Sequence, residues 1–297
     1  MYIIHMSKPK ILSNYNILII CFIICIIGIC IYIWMPTIFM EPFEQKEKQI
    51  RILNLVLYST DNGGPYDNMK NILDKYYSTF PYVDTYYYCF SPNLAHTHEL
   101  KGNVLYIKGN ETYIPGILNK TIFAFDYFKD KLSNYNYVIR SNISTIIRFD
   151  LVTEYFKDNT VKYGCTLCTD ANNIPFSSGT SIIFSPDIIT NIVNNKNKLD
   201  YSTIDDVSIG NFIQKHMPEI KMEPILSNLP NNGFYSVPNL DNDKNKILDL
   251  IQDNKIAIFR NRNDDNREID VKQMNTIVDL LLEDATERGR EVADPER

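Results

Sequence analysis

Between residues 51 and 284 the chain alternates short apolar runs with stretches whose apolar residues recur at helical spacing. The apolar runs are RILNLVLYS (51–59), VDTYYYCF (83–90), NVLYIK (103–108), residues 135–140, GTSIIFS (179–185) and KIAIFRNR (255–262). Each is short, rich in β-branched and aromatic residues, and predicts a strand. Helical spacing predicts helices near 66–78, 114–131, 144–157, 186–195, 206–216 and 271–284, the fourth with Pro186 in its first turn. Strands alternating with helices predict an α/β fold, with a mixed, largely parallel sheet flanked by helices.

Outside this region the pattern changes twice. Residues 17–35, ILIICFIICIIGICIYIWM, form a long apolar run without a charge. At about 1.5 Å rise per residue it would span a hydrocarbon core of about 30 Å. It is too long for the apolar region of a cleaved signal peptide. Lys8 and Lys10 precede it, a modest bias toward a cytosolic N-terminus. The expected organisation is therefore a cytosolic tail (1–15), a transmembrane helix (16–35), a stem (36–50), a globular domain (51–284) and a disordered charged tail (285–297). That makes a single-pass type II membrane protein of an endomembrane or a viral membrane, attached through residues 17–35.

Composition narrows the function. A formal charge of -6 argues against nucleic acid, whose binders present a basic face. Cys21, Cys25 and Cys30 fall in the apolar run and read as small apolar residues. Cys165 and Cys168, in CTLC, have zinc or redox spacing, but a lone pair completes no tetrahedral site. Inert thiols, a disulfide, and redox chemistry all remain open. Sequons occur at Asn110, Asn119 and Asn142. There is no Walker A loop, no G-x-S-x-G and no H-E-x-x-H. His96 and His98 read as exposed loop residues, and His216 as lying near a helix end.

Two stretches carry candidate chemistry. In YVIRSNISTIIRFD (137–150) a buried strand delivers Arg140, Asn142 and Ser144 to the strand-to-helix junction, where open α/β sheets bind ligands. In DYSTIDDVSIGNFI (200–213) Asp205 and Asp206 open a helix. Carboxylates there are favoured by the helix dipole. Either one caps the helix while the other projects as a general base, or both are structural. Gly210 would permit close approach of another segment.

YVIRSNIST (137–145), SSGTSIIFSPD (177–187) and IDDVSIG (204–210), in that order, resemble the landmarks of fringe and β-1,3-galactosyltransferase-type glycosyltransferases. The likeness covers residues 50–262 and is nearest to divergent members encoded by large DNA viruses, where ETYIPGILNKT (111–121) also looks familiar. It implies a GT-A-like, Rossmann-type fold and an inverting transfer of a hexose or N-acetylhexosamine. The donor would be a nucleotide sugar, UDP-linked, and the acceptor a glycan or glycoprotein. It also implies Mn²⁺ on three successive acidic positions. Here those positions are Asn142, Ile143 and Ser144, so the acidic ligands are missing and neutral groups hold a divalent ion poorly. The resemblance assigns Asp206 as base, with Asp205 as cap or in the exchanged role. Asn142 and Ser144 would contact the donor, and Gly179 would admit it. Charge on departing UDP must then be met by cations, with Arg140, Arg260 and Arg262 as candidates. Activity that survives chelation is expected, as is an unmodified sequon at Asn142. The alternatives are a catalytically inactive sugar-binding protein on the same fold and a structural membrane protein of a virion.

Overall fold

The computed structural model describes residues 49–60, 63–171, 173–226, 233–237 and 240–293, with residues 19, 22–27 and 29 of the N-terminal stretch. The chain divides into two units, 1–49 and 50–297. In the first, the described positions between 19 and 29 are helical and exposed. Most of the run 17–35, expected to be a transmembrane helix, lies outside the described residues. Among the described residues no helix is long and apolar enough to cross a membrane. This overturns the type II placement, since a span needs about 20 consecutive apolar helical residues.

The second unit holds an eight-stranded sheet in the order β3-β4-β2-β1-β5-β8-β7-β9. The strands are β1 (Ile52–Leu57), β2 (Val83–Ser91), β3 (His98–Lys101), β4 (Val104–Lys108), β5 (Tyr137–Asn142), β7 (Tyr163–Thr169), β8 (Pro175–Phe184) and β9 (Glu223–Pro224). β4, β2, β1 and β5 are parallel neighbours, whereas β3 and β8 run antiparallel to theirs. Every residue of β1 is buried but the last, Leu57, which is half-buried. That accounts for a nearly unbroken apolar run, because a strand covered on both faces needs no polar side. Its one polar residue, Asn54, is bonded to Ser141 Oγ at 3.2 Å and Thr85 Oγ1 at 3.3 Å.

Two apolar cores cover the two faces. Ile52 and Val56 of β1 pack with α1 (Gly64–Tyr77), α3 (Phe149–Asp158), α6 (Leu240–Gln252) and α7 (Arg267–Ala293). Leu53 and Leu55 pack with α2 (Gly116–Phe128), α4 (Pro186–Asn194) and α5 (Asp205–His216). The chain winds from β1 outward through β2 to β4, then returns through α2 to β5 on the other side of β1. Leu57 and Asn142 pair at the C-terminal ends of β1 and β5. A crevice outside such a reversal is where doubly wound sheets take ligands.

Two expectations need correction, and the thiols left open find their place. Residues 144–157 do not open directly as a helix: Thr145–Ile147 forms β6, antiparallel to β11 (Ile258–Asn261), which is parallel to β10 (Phe234–Val237). The helix begins at Phe149. Residues 285–293, expected to be disordered, continue α7, while 294–297 lie outside the described residues. Finally, CTLC lies on β7, where successive side chains alternate faces. Cys165 is buried against Ser181 Oγ at 2.9 Å and Cys168 is half-buried; both are free thiols. His98 sits on β3, packed edge-on against Tyr127, and His216 ends α5.

Candidate active site

A cavity of about 890 Å³ opens at the ends of β1 and β5. Arg140, Asn142, Ser144, Gly179, Asp205, Asp206, Arg260 and Arg262 all line it. Four separated stretches of sequence thus meet in one hollow, although their side chains are not equally free.

Arg140 is 1% exposed. It donates to Asp205 Oδ2 at 2.7 Å, to Asn142 Oδ1 at 2.7 Å and to the Gly179 carbonyl. Asp205 also accepts from Thr121 Oγ1 at 3.1 Å, and Thr121 Oγ1 lies 3.0 Å from the Tyr88 hydroxyl. Arg140 therefore ties β5 to β8 and α5. Asp205 neutralises it, and most of its N–H groups are spent within the protein. The same pair answers the sequence question about Asp205, whose carboxylate is committed to Arg140 rather than to capping α5.

Asp206 is held differently. Its Oδ2 accepts the Gly179 N–H from β8 at 2.8 Å, and its Oδ1 accepts the Val207 N–H at 2.8 Å. No side-chain cation pairs with it among the described residues. Two oxygens taking one N–H each leave lone pairs for a hydroxyl. Burial, and then the neighbouring Asp205, push its carboxyl above the usual range, against the opposing pull of the Gly179 N–H and Arg140. A carboxylate of raised proton affinity, oriented by backbone, suits general-base work.

Gly179 is the close-approach residue of the site. A Cβ there would lie 2.9 Å from Arg140 Nη1 and 3.0 Å from Asp206 Oδ2. Gly179→Ala is expected to displace the Asp206 carboxylate, cost about 1–3 kcal/mol of stability, and lower kcat more than it raises KM. A thermal melt alongside steady-state kinetics checks both. Gly210 likewise gives way to Phe176, whose side chain leaves no room for a Cβ.

The opposite wall is cationic. β6 and β11 place Arg260 directly across from Thr145. The Arg260 guanidinium donates to Ser144 Oγ, with Thr145 Oγ1 at 3.5 Å. Burial, followed by Arg267, Arg140 and Arg262, lowers its pKa to about 10. Arg262 is largely exposed and paired with Asp264 at 3.0 Å. Arg267 lines the same wall, held by Asp270 at 2.7 Å and Asp264 at 2.8 Å, with its guanidinium over the Tyr66 ring.

Sequence reasoning missed Arg267, which sits in a charged loop and helix start with no local signal. It also missed the pair of buried Lys120 and half-buried Glu111. Lys120 Nζ lies 2.6 Å from Glu111 Oε2 and donates to the Tyr58 carbonyl at 2.9 Å. Both were visible within residues 111–121, but their meeting depends on how α2 docks.

Asn142, Ile143 and Ser144 do not fit a divalent cation. Asn142 Oδ1 accepts from Arg140, Ser144 Oγ accepts from Arg260, and Ile143 is apolar and buried. Among the described residues no group of three or more His, Cys, Asp or Glu is arranged to hold a metal ion.

No known family profile matches this sequence, and no curated protein matches it. Among solved structures, it is similar to a glycosyltransferase involved in the glycosylation of the major capsid of PBCV-1, at 10% identity over 75% of this chain and 98% of that one, TM-score 0.44. It is also similar to the galactosyltransferase LGTC in complex with donor and acceptor sugar analogs, at 11% identity over 78% and 95% of the two chains, TM-score 0.39.

Proposed function

We propose that this chain is an inverting glycosyltransferase that moves a hexose or N-acetylhexosamine from a nucleotide sugar, UDP-linked, to a hydroxyl of a glycan or glycoprotein. One observation carries the reading. A backbone-oriented carboxylate, Asp206, and a desolvated guanidinium, Arg260, line the same cavity at the reversal of a doubly wound sheet. Transfer of a sugar from a diphosphate needs that pair of charges: a base for the nucleophile and a cation for the leaving group. The finer assignment to the fringe and β-1,3-galactosyltransferase type rests on the three sequence landmarks.

The step balances as a single displacement. The acceptor oxygen attacks the anomeric carbon and gives its proton to Asp206. The bond from that carbon to the β-phosphate oxygen breaks, and its electron pair leaves with the nucleoside diphosphate. Asp206 releases the proton to water when products depart. Asp205 takes no part in the transfer and holds Arg140 in place.

Incubating the protein with a panel of UDP-sugars and glycan acceptors, and measuring released UDP and the glycosylated product, tests this. Product with inverted anomeric configuration supports it. Glycan binding with no transfer from any donor would leave a sugar-binding protein instead.

A further inference from the structure

Three cations were open to the sequence as partners of the leaving group, and their surroundings separate them. Arg140 is neutralised by Asp205. Arg262 is exposed and paired with Asp264. Arg260 is half-buried and makes no ion pair among the described residues, whereas Arg51, Arg140, Arg148, Arg262 and Arg267 each have a carboxylate partner. The groups accepting from Arg260 are neutral hydroxyls, Ser144 and Thr145. Its charged neighbours are mostly of its own sign: Arg267, Arg140 and Arg262, with Asp270 the opposing charge.

A half-buried guanidinium with no ion-pair partner favours a ligand that brings the opposing charge. Guanidinium groups bind phosphate through paired N–H donors. The same geometry works against a metal. A divalent ion at residues 142–144 would need the lone pairs of Asn142 Oδ1 and Ser144 Oγ that now face Arg140 and Arg260. It would also sit beside two guanidinium groups, where like charge repels it.

Resting on the glycosyl-transfer reading, we infer that Arg260 is the seat of the donor's diphosphate, in the position where related chemistry uses a divalent cation, and that donor binding needs no metal. Arg267 supports the seat from α7, its charge already divided between Asp264 and Asp270.

The test is calorimetric titration of the full chain with UDP and with inorganic pyrophosphate, each in EDTA and again with Mn²⁺. Neither affinity should rise on adding Mn²⁺. Arg260→Met should weaken both ligands by about 10- to 100-fold, Arg260→Lys should recover part of the loss, and Arg262→Met should leave affinity near wild type. A thermal melt of each variant separates lost binding from lost fold. A second variant turns the inference round: Ser144→Asp with Arg260→Ala should make UDP binding respond to Mn²⁺. Wild-type binding that requires Mn²⁺, or unchanged affinity in a folded Arg260→Met protein, overturns it. The two readings fail separately. Metal-free binding at Arg260 with no sugar transfer would sink the enzyme and keep the seat. Mn²⁺-dependent transfer would do the reverse.

Discussion

Asp206→Asn is expected to reduce kcat by about 10²–10⁴-fold while leaving UDP affinity within a few-fold of wild type. The amide keeps the size of the carboxylate and an oxygen to accept the Gly179 or Val207 N–H. It cannot take a proton from an attacking hydroxyl. Asp205→Asn is the control, since Asp205 is committed to Arg140 and Thr121. Its effect should appear chiefly in stability. Turnover unchanged in Asp206→Asn would remove the base from the mechanism.

The pH profile carries the same assignment. Burial and Asp205 raise the Asp206 pKa, so the acid limb of kcat/KM should sit above the range of an unperturbed Asp and vanish in the Asn variant. The sign for stability is opposite. A carboxyl whose folded pKa is raised holds its proton more tightly in the folded state. Its contribution to stability is full below the unfolded pKa and is lost as pH rises through the folded one.

Arg140→Met is the second large effect, and it falls on the fold. The substitution leaves Asp205 buried without a cation and strips donors from Gly179 and Asn142. Breaking one side of a buried pair costs about 3–5 kcal/mol. For a domain of this size, that lowers Tm by roughly 10 °C. The double variant Arg140→Met with Asp205→Asn removes both charges and should regain most of the loss. Recovery would identify the ion pair as the source of the destabilisation. Equal destabilisation of single and double variants would instead point to the bonds to Gly179 and Asn142. Either protein, if folded, should still bind pyrophosphate at Arg260, which separates Arg140 from donor binding.

The parts of the fold legible in the sequence were those dictated by local pattern. β1 and the first half of β5 read as strands because their apolar residues are covered on both faces, and helix α4 carries Pro186 in its first turn. Elements that depend on distant partners were hidden. β6 is three residues long and apolar, so it merged with the helix that follows; its strand character comes from β11, more than 100 residues away. β7 contains Gly164 and keeps no strict alternation, and its strand character comes from pairing with β8, with a shift in register between Cys165 and Leu167. α6 lies in a polar, Asn- and Asp-rich segment, with Ile247 and Ile251 buried among its described side chains.

The candidate site shows the same division. Residue types at a strand end and a helix start pointed to Arg140, Asn142, Asp205 and Asp206. Which aspartate is neutralised, and which arginine meets hydroxyls instead of a carboxylate among the described residues, depends on pairings across 65 residues in one case and 116 in the other. No local rule supplies those.

Diffraction from crystals soaked with UDP and manganese, with anomalous data collected at the metal edge, tests the central claim most directly. The account predicts the diphosphate against Arg260, the anomeric position of the donor facing Asp206, and no manganese peak between the phosphates and residues 142–144. A manganese ion bridging the phosphates to Asn142 and Ser144, with both side chains turned away from their arginines, would contradict it.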